Sequence, residues 1–214
     1  MSKNNADLLR TRLRELRQTL SVAERQHDST ALCARLQAWF DQRLALNDVS
    51  QQSRPLIVAG FWPLEYEPDL RPLLYQLDQN QVTVCLPVIV ERHAPLEFHR
   101  WTPNTTLTAQ GFGVMEPPRQ QTLIPDILLV PTLGFTTKAA RLGYGGGYYD
   151  RSLAALHHAG KKPLKIGIAW GQGLLTQASH SSDQAFAPQA HDVLLDAIAT
   201  PFEWVPAAPS LAAV

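Results

Sequence analysis

Buried strands alternating with helices predict an α/β fold on a mainly parallel sheet. Three observations carry that expectation. Short apolar runs recur at residues 56–59, 82–86, 126–130, 166–169 and 193–198. Helical patterns separate several of them, as at Leu70, Leu73, Leu74 and Leu77. The runs are nearly continuous, as expected for strands covered on both faces and joined by right-handed crossovers.

The elements follow in order. Leu9, Leu13, Leu16 and Leu20 recur at helical spacing, with Arg10, Arg14 and Arg17 on another face. Ser21 precedes Glu24 by three residues, a capping-box pattern that opens a second helix. Leu32, Leu36, Trp39, Phe40 and Leu44 form that helix's apolar stripe, and residues 47–54 read as a polar loop. Residues 96–101 alternate and predict a half-exposed strand. The buried run at 126–130 precedes a long loop and then a helix from about Gly147. Residues 1–204 form one expected domain with a basic N-terminal helix, and the Ala/Pro-rich segment 205–214 is expected to be a loose tail.

The composition limits the function. Lys plus Arg and Asp plus Glu number 19 each, so no global field recruits nucleic acid or an anionic membrane. Nothing approaches the ~18 continuous apolar residues of a membrane span, and the polar N-terminus holds no apolar signal core. Cys33 and Cys85 are too few for a disulfide framework, which favours a reducing, cytoplasmic setting. The seven histidines show no zinc-ligand spacing with them, and no Gly-x-Ser-x-Gly nucleophile motif occurs. His157 and His158, late in a helical pattern, suit a helix C-terminus. A monomer working on small molecules is the expectation.

The most informative segment, residues 141–151, reads Arg-Leu-Gly-Tyr-Gly-Gly-Gly-Tyr-Tyr-Asp-Arg. It follows a buried strand and opens a helix, where α/β sheets bind ligands. Gly143, Gly145, Gly146 and Gly147 let backbone N–H groups approach a ligand, and a helix N-terminus favours phosphate. Arg141 and Arg151 are donors for phosphate oxygens. No Lys-Ser/Thr follows the glycines, so this is not a Walker A loop. Tyr148 in place of a third glycine excludes the dinucleotide fingerprint. A glycine cluster alone is often only a turn; the flanking Arg, Tyr and Asp favour ligand binding. Asp150 reads equally as a helix-end carboxylate or as a Mg²⁺ ligand.

Together with residues 130–135 (Val-Pro-Thr-Leu-Gly-Phe), this loop resembles the signature of the 5-formyltetrahydrofolate cyclo-ligase family. Segments around Leu9-Arg10, Phe61 to Leu73, Gly113 to Pro117 and His191-Asp192 resemble other family segments in the same order. The resemblance implies a three-layer α/β/α fold. It also implies ATP- and Mg²⁺-dependent conversion of 5-formyltetrahydrofolate to 5,10-methenyltetrahydrofolate, ADP and phosphate. Position by position, it assigns ATP phosphates to Arg10, Arg141, Leu142, Gly143, Tyr144, Gly145, Gly146, Gly147, Tyr148 and Tyr149. Residues 143–147 also approach the formyl group. Arg141, Gly145, Gly146 and Asp150 carry catalysis, Asp150 and Asp192 support Mg²⁺, Glu67 hydrogen-bonds the pterin, and Trp62 packs against it. Glu65 is the close rival of Glu67.

Three positions depart from the family pattern. Ala6 stands where a lysine is usual, and Lys3 is the nearest lysine for that phosphate contact. Thr136 replaces an aspartate and Ala139 a glycine on the approach to the loop. A non-catalytic folate- or nucleotide-binding paralogue is the alternative that Ala6 and Thr136 raise, and a sugar-phosphate isomerase or transferase is a third reading.

Overall fold

The computed structural model describes residues 3–46, 54–175, 186 and 193–212. Two helices open the chain, α1 (Lys3–Thr19) and α2 (Val22–Leu46). The capping box between them forms as its residues require. Glu24 N–H donates to Ser21 Oγ at 3.2 Å, and Ser21 N–H donates to Glu24 Oε2 at 2.8 Å. The Ser21 hydroxyl bond, followed by its backbone bond, holds the Glu24 carboxyl below the usual range.

The main sheet contains β1 (Ile57–Ala59), β2 (Thr83–Val88), β3 (Glu97–Arg100), β6 (Ile127–Pro131), β9 (Leu164–Ile168), β10 (Ala197–Ala199) and β11 (Trp204–Val205). Its order is β11-β10-β9-β6-β1-β2-β3. The four inner pairings are parallel, and both edge pairings, β2 with β3 and β10 with β11, are antiparallel. The expected mainly parallel sheet is therefore present. In the apolar stretch at 193–198, the strand occupies its distal end and extends to Ala199.

Period-two alternation sorts the strand residues onto two faces. Val58, Val84, Leu86, Ile127, Leu129, Ile166 and Ile168 pack with Leu32, Leu36, Trp39 and Phe40 of α2. Leu73, Leu74 and Leu77 of α3 (Arg71–Gln79) join the same face. Ala59, Cys85, Leu128, Val130 and Ile198 pack with Leu153 of α4 (Tyr148–His158) on the other. Helices on both faces give the three-layer α/β/α arrangement. Each buried Leu or Val contributes about 1.5–3 kcal/mol. Both thiols are free and buried, and burial pushes Cys33 up to about 11. Among the described residues no helix is long and apolar enough to cross a membrane.

The structure differs from the sequence expectation in two places. The segment 132–142 is not an open loop. It forms a hairpin of β7 (Gly134–Phe135) with β8 (Arg141–Leu142). The described tail is not loose either: Pro209 is buried, its carbonyl accepts a bond from Trp39 Nε1 at 3.0 Å, and the Leu211 carbonyl accepts one from Arg43. The two short strands β4 (Thr108–Ala109) and β5 (Met115–Glu116) pair with each other outside the main sheet.

Candidate active site

The β7–β8 hairpin delivers the glycine loop. Its turn depends on the two residues that depart from the family pattern. Thr136 Oγ1 accepts bonds from the Lys138 and Ala140 amides at 3.3 and 3.2 Å, the side-chain-to-backbone role an aspartate fills at such turns. Ala139 adopts φ +57°, a left-handed conformation that favours glycine. The Thr136 hydroxyl and the left-handed Ala139 together hold this turn. Leu133 N–H then donates to the Leu142 carbonyl at 3.1 Å, which sets the loop beside the carboxyl end of β6.

The loop's glycines make room for guanidinium groups. A Cβ on Gly143 would lie 2.7 Å from Arg141 Nη1, and one on Gly147 would lie 2.7 Å from Arg151 Nη1. At Gly145, where φ is +98°, the Arg10 guanidinium carbon would be 3.4 Å away. Arg10 Nε donates to the Gly143 carbonyl at 2.9 Å, and Arg151 Nη2 donates to the Gly146 carbonyl at 2.8 Å. Three cationic side chains therefore lie against a backbone whose tip, Gly145 and Gly146, is exposed. The N-cap of α4 is Gly147, with no capping side chain, so the helix presents its first amides and its positive end to the same place.

Arg141 is buried, with Asp150 Oδ1 at 2.8 Å and the Tyr149 ring 5.8 Å from its guanidinium carbon. Its Nε, the Arg151 Nε and the Tyr149 hydroxyl are buried with no hydrogen-bond partner among the described residues. Unpaired buried polar groups are costly, and three of them lie around this loop.

Glu67 reaches this loop from the β1–α3 connection. It is 9% exposed, whereas Glu65 is exposed, and its Oε2 accepts the Leu64 amide at 2.9 Å. Burial, and next the Glu67 charge, push the Tyr144 and Tyr149 hydroxyls far above the usual phenol range; Arg17 and Arg141 respectively pull against that. Trp62 stands on the same connection but makes its ring contacts with Trp101, 6.0 Å between centroids, and with the Arg71 guanidinium at 5.7 Å. Arg10, Glu67, Tyr144, Tyr149 and Asp150 are thus brought together around Arg141 and the glycines. Trp62 is not shown touching them.

Lys3 begins α1, but its side chain lies outside the described residues, as does Asp192. Ala6 is buried in a small cluster with Leu9, Leu13, Leu133, Leu142 and Leu175. Among the described residues no group of three or more His, Cys, Asp or Glu side chains forms a metal cage.

Two residues without an assigned role complete the site. Arg14 Nη2 donates to the Tyr144 carbonyl at 3.2 Å. Arg17, only 6% exposed, donates to the Tyr144 hydroxyl and to the Thr132 carbonyl. Their spacing from Arg10 puts all three on one helix face, the signal visible in the sequence. A basic stripe on a helix more often faces solvent, and nothing local marks Arg17 as buried.

The fold is that of an α/β protein whose candidate site, the arginine-ringed glycine loop, lies at the carboxyl end of a parallel sheet. A family model described as the 5-formyltetrahydrofolate cyclo-ligase family matches residues 2–201. The chain belongs to that family. A 5-formyltetrahydrofolate cyclo-ligase of Mycolicibacterium smegmatis is 30% identical over 210 residues, covering 94% of this chain and 96% of its own. The Haemophilus influenzae protein of the same name is 28% identical over 177 residues, covering 79% and 88%. The solved 5,10-methenyltetrahydrofolate synthetase of Aquifex aeolicus superposes with a TM-score of 0.69 at 24% identity, covering 93% of this chain and 91% of that one.

Proposed function

We propose that this chain is a 5-formyltetrahydrofolate cyclo-ligase that uses ATP and Mg²⁺ to form 5,10-methenyltetrahydrofolate, ADP and phosphate. The observation that carries the reading is the convergence of Arg10, Arg141 and Arg151 on Gly143, Gly145 and Gly147 at the uncapped start of α4. A polyphosphate suits that combination of guanidinium donors, bare amides and helix N-terminus.

The chemistry explains the need for ATP. The formyl oxygen is a poor leaving group. Transfer of the γ-phosphoryl group to it makes phosphate the leaving group. The folate N10 then attacks the formyl carbon, and loss of phosphate leaves the methenyl bridge. In this reading Arg10 and Arg151 hold the phosphate tail against the loop, and Arg141 neutralises charge on the transferring group. The glycine amides align the terminal phosphorus with the formyl oxygen. Glu67 accepts from the pterin's amino and ring N–H groups, which fixes the ring's orientation. Tyr149 lies beside Glu67 and Arg141 and offers its hydroxyl to the bound substrates.

Magnesium fits as an ion carried in with the nucleotide, because it commonly takes one or two carboxylates with substrate phosphates in place of a full protein cage. Asp150 would hold it, with Asp192 as the second carboxylate the family resemblance names. The ion supplies positive charge to the phosphates. Asp150 also keeps Arg141 oriented through the 2.8 Å pair. We place the enzyme in the cytoplasm as a monomer, a reducing setting that its two free thiols suit.

The test is formation of the methenyl absorbance from 5-formyltetrahydrofolate by the purified protein, with equal amounts of ADP and phosphate released. Omission of ATP or Mg²⁺ is expected to abolish it. Folate binding by folded protein with no turnover under complete conditions would instead identify a non-catalytic paralogue.

A further inference from the structure

Glu67 lies in the β1–α3 connection, outside both strand and helix, so no regular ladder sets the direction of its side chain. Local contacts do so instead. Glu67 N–H donates to the Leu64 carbonyl at 3.0 Å, and Leu64 N–H donates back to Glu67 Oε2 at 2.9 Å. Pro68 follows and confines the Glu67 backbone to extended conformations. The peptide group that joins Tyr66 to Glu67 has a second handle, the Tyr66 carbonyl. It accepts a hydrogen bond from Trp170 Nε1 at 2.9 Å. That peptide is therefore held at both ends, its N–H by Leu64 and its C=O by Trp170.

Trp170 comes from a distant part of the fold. It stands two residues beyond the end of β9, a strand separated from β1 by β6, and 104 positions from Tyr66 along the chain. It is 1% exposed, so packing fixes where its indole N–H points. An indole N–H only donates, and this one goes to the carbonyl beside Glu67. The opposite flank of the connection is tied to α2. The Arg25 guanidinium carbon lies 4.9 Å from the centre of the Tyr66 ring, and Asp69 N–H donates to Ser29 Oγ at 3.0 Å. Trp170 is the one contact that sets the tilt of the peptide from the side of the sheet.

We propose that Trp170 is a positioning residue for folate: its indole N–H fixes the peptide before Glu67 so that the carboxylate meets the pterin's N–H donors. The inference rests on the functional reading above, in which Glu67 accepts from the pterin. A small tilt of the peptide becomes a larger displacement at the end of the glutamate side chain, and hydrogen bonds weaken steeply once their angle is lost. Glu67 touches the ring and not the reacting atoms. A misaimed carboxylate therefore weakens the ground state and the transition state alike, which raises KM and leaves kcat in place.

Calorimetry with 5-formyltetrahydrofolate and steady-state turnover of the full chain test this. Trp170→Phe keeps a buried aromatic ring and removes the N–H. Its Kd and KM for the folate should rise about 5- to 10-fold, with kcat and the KM for ATP within about twofold of wild type. Glu67→Ala should weaken folate binding as well. Adding Trp170→Phe to it should cost little more, because a contact that acts through Glu67 loses its effect once the carboxylate is gone. Thermal unfolding checks that each variant is folded. Hydrogen exchange in the wild type decides independently of any variant: the Trp170 indole hydrogen should exchange more slowly with folate bound than with a β,γ-imido ATP analogue bound. If Trp170→Phe binds folate as tightly as wild type, if the two substitutions add in full, or if folate leaves the exchange unchanged, the inference is overturned and the enzyme assignment stands. If Glu67→Ala binds folate normally, the pterin contact fails and takes the inference with it. A wild type that binds folate without turnover removes the cyclo-ligase assignment, and the folate Kd values still decide the role of Trp170.

Discussion

Gly143→Ala introduces one methyl group at a position where the backbone tolerates any residue and only a guanidinium stands in the way. The new Cβ would sit 2.7 Å from Arg141 Nη1, so the group must retreat about 0.7 Å to reach ordinary contact at 3.4 Å. An exposed arginine end would simply swing aside. Arg141 is held by Asp150 at 2.8 Å and by the Tyr149 ring, with only 6% of its side chain exposed. A retreat of that size can lengthen the 2.8 Å Asp150 contact to the edge of hydrogen-bonding range. A charge-assisted bond of this kind contributes about 1.5–3 kcal/mol, and partial loss should cost about 1–2 kcal/mol of stability. Removal of one preorganised donor from a developing charge commonly lowers kcat by about 100- to 1000-fold. For displacement without removal, kcat/KM for ATP should fall by roughly 10- to 100-fold, which equals about 1.4–2.7 kcal/mol. The assay is the rate of methenyl product formation with ATP varied, beside a denaturant melt. Gly111→Ala is the control, because a Cβ there meets nothing within 4 Å, and both measurements should stay at wild-type values. A Gly143→Ala enzyme with a lowered melt but an unchanged ATP dependence would refute the role given to Arg141.

Three further outcomes are expected. Asp150→Asn should lower turnover by about 100-fold with no recovery at high Mg²⁺, and should cost about 1–2 kcal/mol in a denaturant melt because Arg141 loses its counter-charge; full recovery by Mg²⁺ would show only weakened metal affinity. Asp69 is raised by burial but carried below its ordinary 3.8 by its bonds to Arg71, so its folded pKa lies under the unfolded one. Its contribution is present above pH 3.8 and is lost as pH falls through the folded value. Asp69→Asn should flatten the acid limb of a stability–pH curve in that window and leave neutral turnover intact. Truncation after Val205 should destabilise the chain by about 2 kcal/mol or more, since the buried Trp39 N–H loses the Pro209 carbonyl and Arg43 loses that of Leu211; an unchanged denaturation midpoint would show that the tail carries no packing energy.

Several features of this protein were legible in the sequence because they are local. The capping box at Ser21 and Glu24 needs a spacing of three residues and forms as written. The buried runs needed only hydrophobic continuity to mark parallel strands. The glycine loop announced itself by composition and by its place between a strand and a helix. Thr136 and Ala139 were visible only as departures from a family pattern; the turn they hold was not.

The tertiary structure decided the rest, because it depends on which distant segments meet. Arg17 and Tyr144 are 127 positions apart, and no sequence window contains both. On α1, Leu9 and Leu13 are buried while Leu16, on the same nominal stripe, is 37% exposed. The choice is made by the hairpin packed against the helix. Glu67 rather than Glu65 faces the site because the β1–α3 connection turns one carboxylate toward the Leu64 amide and leaves the other in water. The sequence alone determined the repertoire of elements and the chemistry of the loop, through short-range periodicity and residue type. Only chain closure, which brings distant groups together once enough apolar surface is buried to offset its entropy, decided which arginines and which carboxylate surround that loop.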